Sequence, residues 1–253
     1  MRFVESANFP EDLEYLLLGQ RYLASYQGAL RELGIEPVGV PDNPQVDPRL
    51  AGHADLSCFH AGGSRLYLAQ FLRDSLFSKQ LQNWGGEIHY SEGQQGRHYP
   101  QDAQFNACAV GRFLLCNKIT VASEILREVS AGRTGLFCRQ GYTRCNVCLV
   151  SEDAIITSDS GIADCASPFL DILRIRPGYV DLPGFSYGFL GGASFKLSQD
   201  TLAFTGSLQG HPDRDSILSF LKIHRVNAVF LSNGPLMDIG GAIPLIEKDH
   251  SSS

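Results

Sequence analysis

Cys145 follows Arg144 in the run GYTRCNVC (141–148), and His53 and Asp55 stand two residues apart in AGHADLSC (51–58). A thiol attacks as its thiolate, which a neighbouring cation favours, so Arg144 beside Cys145 invites a nucleophile assignment. An imidazole moves protons near neutral pH, and a carboxylate pairs with a cation. These types give a candidate catalytic set: Cys145 as nucleophile, His53 as acid/base and Asp55 as cation clamp. The competing reading of Cys145 is a buried inert thiol.

Arg144, Asn106, Asn146, Asp159, Tyr187 and Asp238 are the candidate ligand-binding residues. Asp159 and Asp238, like Asp55, fall at expected strand ends, where carboxylates would suit a guanidinium, amidine or amine. Capping of turns and loop N–H groups is the equal alternative. Asn106 and Asn146 could instead bind backbone. Tyr187 lies in the Gly-rich aromatic loop PGFSYGF (183–189), which could cover a pocket or simply turn into the next strand. His211, before Pro212, reads as a helix cap.

The pair Cys145 and Cys148 has CxxC spacing, but on a strand residues i and i+3 point to opposite faces. With no second CxxC to complete four ligands, no metal is expected. Cys58, Cys108 and Cys148 share a register position with Ser194 and read as small packing residues. GGA at 191–193 lacks the GxGxxG of a dinucleotide site, so no cofactor is expected.

Five segments position these residues: DLSCF (55–59), FNACA (105–109), CNVCL (145–149), GGASF (191–195) and GGAIP (240–244). They align without gaps at spacings of 50, 40, 46 and 49 residues, the mark of a repeat architecture. Each is expected to lead a strand and to be followed by strand, helix and strand. The first unit offers 65–69, 71–84 and 87–90. The second offers 112–116, 119–131 and 136–138, with Val121, Ile125 and Val129 on one helical stripe. The third has 154–157, a helix from about 161 and a strand at 172–175. The fourth has 201–205, a helix over 212–224 with Pro212 at its first position, and 228–231. The fifth unit stops after its first strand, and the chain start supplies the rest: a strand at 14–18, a helix at 21–33 ended by Gly34, and a strand at 36–40. The expectation is one domain over 1–253. Its units cover 55–90, 105–139, 145–176, 190–232, and 238–246 completed by 13–40. An open α/β sheet is the alternative.

The chain has 253 residues, 43% hydrophobic and 19% charged, so a sizeable core can form without disulfides. Its net charge of -6 argues against nucleic acid or an anionic membrane as partner. No apolar run is long enough to span a membrane, and the acidic, Pro-containing start is unlike a signal peptide. Seven Cys without scaffold spacing read as reduced thiols in a cytoplasmic protein, monomer or homodimer. The tail DHSSS (249–253) is expected to fray.

The runs QGYTRCNVC (140–148), IITSDSGI (155–162), PGYVDLPG (177–184), YGFLGGA (187–193), FTG (204–206) with HPD (211–213), and DIGGA (238–242) resemble an uncharacterised bacterial family of the pentein, or guanidino-group-modifying-enzyme, fold. The resemblance covers essentially the whole chain. It implies an α/β fold, a five-bladed pseudo-fivefold ring of ββαβ units closed by pairing of the chain's two ends. Characterised penteins include deiminases, dimethylarginine dimethylaminohydrolase and amidinotransferases, which use a late Cys, a His and guanidinium-gripping carboxylates. This chain departs from that pattern. GGAIPL (240–245) holds no Cys, and YGFLGG (187–192) holds no His. The resemblance thus implies a protein that binds or hydrolyses a small cationic guanidine- or amidine-like ligand. If it is an enzyme, it would be a Cys-dependent hydrolase or amidinotransferase. The alternative is a non-catalytic binding or assembly protein, like the ribosome-binding pentein translation initiation factor 6.

Overall fold

A computed structural model describes residues 1–248, so the tail expected to fray lies outside the described residues. The chain opens with β1 (Arg2–Phe3), β2 (Leu13–Gly19), α1 (Leu23–Glu32) and β3 (Glu36–Val40). Next come β4 (Cys58–Gly62), β5 (Arg65–Leu68), α2 (Leu76–Asn83) and β6 (Glu87–Tyr90). Then follow β7 (Cys108–Val110), β8 (Phe113–Cys116), α3 (Ser123–Ser130) and β9 (Thr134–Phe137). A one-turn helix α4 (Thr143–Asn146) precedes β10 (Cys148–Ser151), β11 (Ala154–Thr157), α5 (Ser160–Ala166) and β12 (Asp171–Arg174). The last elements are β13 (Ser194–Ser198), β14 (Thr201–Phe204), α6 (Arg214–Ile223), β15 (Asn227–Phe230) and β16 (Ile243–Glu247).

The described strands form separate small sheets: β4-β5-β6, β7-β8-β9, β10-β11-β12, β13-β14-β15 and β1-β16-β2-β3. Each pairs its leading strand antiparallel to the next, which runs parallel to the strand after the helix. A parallel pair needs a crossover, and a helix provides it in each unit. In the sheet that joins the chain ends, β16 pairs with β2, Ile243 opposite Leu17. The fourth residue of every aligned segment opens a strand: Cys58, Cys108, Cys148, Ser194 and Ile243.

Apolar side chains from successive units share cores. Phe59 and Tyr67 pack with Ala109, Leu114 and Ile125. Phe113 packs with Leu149, Ile155 and Ile162, and Val150 and Ile156 with Leu202, Phe204 and Ile217. Phe195 and Ala203 meet Leu16 and Leu30, and Leu17 and Leu245 meet Leu66 and Leu81. Each fully buried Leu, Ile or Phe contributes about 1.5–3 kcal/mol, so the units hold one another in place.

Several local expectations are corrected. The stretch before each strand is not strand. Asp55 sits in a 3-10 turn (Ala54–Leu56) and Cys145 in α4, so the opposite-faces argument for Cys145 and Cys148 rested on the wrong element. The helix expected over 71–84 is split: a 3-10 turn (Gln70–Leu72) precedes α2, because Asp74 at φ 62° leaves the helical path and Ser75 caps the new start. Pro212 stands ahead of α6, where His211 Nδ1 accepts from Asp213 N at 3.0 Å. The stripe on α3 keeps Ile125 buried, while Val121 precedes the helix.

Candidate functional site

Cys145 is held from several sides. Its backbone N donates to Asn106 Oδ1 at 3.1 Å, and Asn106 Nδ2 donates to its Sγ at 3.2 Å. Sγ in turn donates to Asp55 Oδ2 at 2.9 Å. The other Asp55 oxygen, Oδ1, is buried with no partner, and His53 Nε2 is in the same state. His53 Nδ1 lies 3.9 Å from Asp238 Oδ1. Asp238 is fixed by two backbone donors, Phe189 N at 2.9 Å and Gly240 N at 3.0 Å.

Glycine makes this closeness feasible. A Cβ at Gly192 would stand 1.9 Å from Asp238 Oδ1. Gly240 adopts φ 71°, and a Cβ there would meet the His53 Cβ at 2.5 Å. The YGFLGGA and DIGGA runs therefore let two loops close over the imidazole and carboxylate.

His53, Cys145 and Asp238 line one pocket of about 140 Å³. Its walls are Leu50, Leu56 and Leu182 with Tyr142 and Phe189, and Phe185 and Tyr187 stand half-exposed at the mouth. A wider groove of about 680 Å³ runs between Phe9, Arg112, Phe113, Glu152 and Phe169. It brings no thiol and proton carrier together, so the smaller pocket is the candidate site.

Burial pushes the Cys145 thiol well above its ordinary range, and the charges of Asp55 and Asp238 push it further. This reverses the expectation of an Arg-assisted thiolate. The Arg144 guanidinium turns toward carbonyls instead, donating to Gly191 O at 3.0 Å, Val147 O at 3.3 Å and Ser194 O at 3.4 Å. Burial also raises the Asp55 carboxyl, outweighing the pull of His53, the thiol hydrogen bond and Arg144. Burial thus favours the neutral thiol and disfavours the ionised Asp55 carboxyl.

Of the residues singled out in the sequence, the structure brings together Cys145, Asp55, Asn106, His53 and Asp238, with Tyr187 at the rim. Asp55 lies behind the thiol rather than in the pocket wall, and the carboxylate that lines the pocket is Asp238. Asn146 is outside the pocket, its Nδ2 donating to Tyr142 O at 2.9 Å within the α4 turn. Asp159 caps α5, accepting from Ile162 N at 2.8 Å, and also accepts from Gln140 Nε2 at 3.0 Å. Cys58, Cys108 and Cys148 are buried packing thiols. No disulfide is present among the described residues.

The ligand atoms of His53, Cys145 and Asp238 lie within 4.8 Å of one another, a donor set that a metal ion could also use. Cys148, the other thiol of the CxxC, does not belong to this set.

Most of the apolar wall carried no register signal, but Phe189 did. Counted from the aligned segments, His53, Phe189 and Asp238 all fall two residues before the segment start, at 55, 191 and 240. Pocket-facing positions thus recur in register.

Among solved structures, the chain resembles SxtG, an amidinotransferase of saxitoxin biosynthesis from Microseira wollei, at 10% identity over 99% of both chains with a TM-score of 0.59. It also resembles an inosamine-phosphate amidinotransferase from Streptomyces griseus, at 11% identity over 97% of both chains with a TM-score of 0.57. DDAH from Pseudomonas aeruginosa, complexed with citrulline, matches at 9% identity over 87% of this chain and 93% of its own, with a TM-score of 0.54. At these identities the likeness is one of fold. No curated protein matches by sequence. No described helix is long and apolar enough to cross a membrane. With residues 17–243 matching the Family of unknown function (DUF6873), the chain belongs to that family, and its fold is that of the penteins.

Proposed function

We propose that the protein binds a small guanidine- or amidine-like cation over Cys145 and transforms it through a covalent adduct on Sγ. The observation that carries this reading is the meeting of the Cys145 thiol, the His53 imidazole and the Asp238 carboxylate in one pocket wall, with Asp55 behind the thiol as its acceptor. The five sheets, packed unit against unit, are read as blades around a pseudo-fivefold axis with the pocket at its mouth. The described leading strands support this, since each core joins neighbouring units and β16 returns to β2.

The chemistry follows from the charges. A cation held by Asp238 offsets the negative field that keeps the thiol neutral. Sγ then releases its proton to Asp55 Oδ2 and bonds to the amidinium carbon. His53, protonated, gives its proton to the departing nitrogen, and the C–N bond breaks. Water adds to the thiouronium carbon and His53 takes its proton. Cleavage of the C–S bond returns the proton from Asp55 to sulfur, and the remaining hydroxyl proton leaves with the released ammonia as ammonium. An amine in place of water would make the same sequence an amidine transfer.

A second reading, binding without turnover, is favoured by the raised Cys145 thiol, which is satisfied as a neutral donor. Two isosteric alkylating agents separate them. Chloroacetamidine is a cation and chloroacetamide is not, and each alkylates sulfur by losing chloride. Mass spectrometry should find Cys145 modified ahead of the other six thiols by the amidine. The amide should reach the less buried Cys165 and Cys138 first. Equal neglect of Cys145 by both reagents would leave only the binding reading.

A further inference from the structure

The pocket selects more than a cationic head. At about 140 Å³ it is close to the size of a cavity that takes one benzene, and well below the roughly 300 Å³ at which drug-sized sites begin. Beyond His53, Cys145 and Asp238, the wall is leucine and aromatic ring. No Lys or Arg is among its lining residues. Arg144 and Arg49 lie nearby, and both are committed elsewhere. Arg144 is bound to carbonyls. Arg49 stacks 4.2 Å over Phe185, while its guanidinium donates to Asp47 at 2.9 and 2.6 Å and to Gly184 O at 2.7 Å.

A ligand carboxylate or phosphate at the mouth would therefore meet Phe185 and Tyr187, where the one nearby cation, Arg49, is already paired with Asp47. It would also feel the repulsion of Asp238 and Asp55. Burying a charge without a partner is costly, whereas an alkyl or aryl tail gains from the same walls.

Resting on the proposed cation site, we infer that the preferred substrates are singly charged guanidines or amidines with a short apolar tail and no carboxylate. Amino-acid zwitterions such as arginine fall outside this class. The floor supplies the charge pairing and the leucine and aromatic walls read the tail.

Titration calorimetry on the full chain tests this with butylguanidine, butylurea, benzamidine and arginine. Butylguanidine and benzamidine should bind at least about tenfold more tightly than arginine, for which the uncompensated carboxylate is the difference. Butylguanidine should also exceed neutral butylurea, and Asp238→Asn should remove that margin. If arginine binds as tightly as butylguanidine while butylurea does not bind, the apolar-tail inference is overturned and the cation site stands. If butylurea equals butylguanidine in the unmodified protein, the cation site itself fails, and the inference with it. That comparison holds even if Asp238→Asn does not fold.

Discussion

Two buried carboxylate clusters in this protein have opposite fates. Glu128 is 3% exposed, and both of its oxygens are partnered: Tyr67 Oη donates at 2.7 Å, Arg65 reaches both at 3.3 Å, and Arg133 Nε lies 3.9 Å away. Around the candidate site Asp55 and Asp238 are as deeply buried, yet Asp55 Oδ1 and His53 Nε2 have no hydrogen-bond partner among the described residues. The first cluster is satisfied within the chain and needs nothing more. The second is not. Satisfied buried charge supports structure, while unpartnered buried polar groups beside a cavity mark a candidate functional site.

The contrast is tested most severely by deleting the reacting atom. Cys145→Ala should abolish turnover of butylguanidine and alkylation at this position by chloroacetamidine, with loss to background. The circular dichroism spectrum should be unchanged, since Asp238 is fixed by Phe189 N and Gly240 N, and the bond from the backbone N of residue 145 to Asn106 does not need the thiol. Turnover surviving in Cys145→Ala would move the chemistry elsewhere.

Glu128 should show the reverse pattern. Glu128→Ala leaves Tyr67 Oη without its acceptor and Arg133 without its anion, and burial already lowers the Arg133 pKa. Urea unfolding should reveal a loss of about 3 kcal/mol, while affinity for butylguanidine stays as it was. If stability is unaffected, satisfaction of buried charge does not distinguish the two clusters.

Asp55→Asn should stabilise the protein. The folded Asp55 pKa is raised above its unfolded value, chiefly by burial. Below the unfolded value of about 3.9 both states hold the proton and the residue costs nothing. As pH rises past that value the unfolded chain releases its proton first, so stability falls until pH passes the raised folded value. Asn carries no such slope and can still accept from Sγ. A gain of about 1 kcal/mol at pH 7 that vanishes near pH 4, with turnover lost, is the expected result. A variant less stable at pH 7 would show that Asp55 is fully compensated in the fold.

Much of this was legible in the sequence, and the reasons are local. The aligned segments fixed strand starts because a repeat records the same backbone problem several times. β3, β6 and β11 fell on the expected residues because turn-forming residues bound them, Gly34 and Pro41, Gly86 and Ser91, and Asp153 and Ser158. The set Cys145, His53 and Asp55 followed from register. The sign of the thiol shift did not. Arg144 is adjacent in sequence, yet α4 turns its guanidinium toward the Gly191 carbonyl. Whether a neighbouring charge reaches a thiol depends on the local helix, which a strand reading of 145–149 concealed. The apolar wall was equally hidden, since Leu50, Tyr142 and Leu182 converge only through loops that carry no periodicity.

The smallest expected effect concerns the mouth, where the comparison becomes one of order rather than charge. Arg49 joins Asp47, the Gly184 carbonyl and the Phe185 ring, and so pins the loop that carries Phe185 and Tyr187. All of these contacts lie at the surface, where ion pairs add little to folding. Arg49→Gln should therefore leave Tm nearly unchanged. The loop would then have to be ordered when the ligand arrives, and ordering a side chain on binding costs about 0.5–1.5 kcal/mol. Calorimetry should show butylguanidine binding about threefold more weakly, with a less favourable entropy and no change in the margin over butylurea. A loss of that margin instead would mean that Arg49 acts on the charge at the floor, and the division between a reading head and an ordering rim would be wrong.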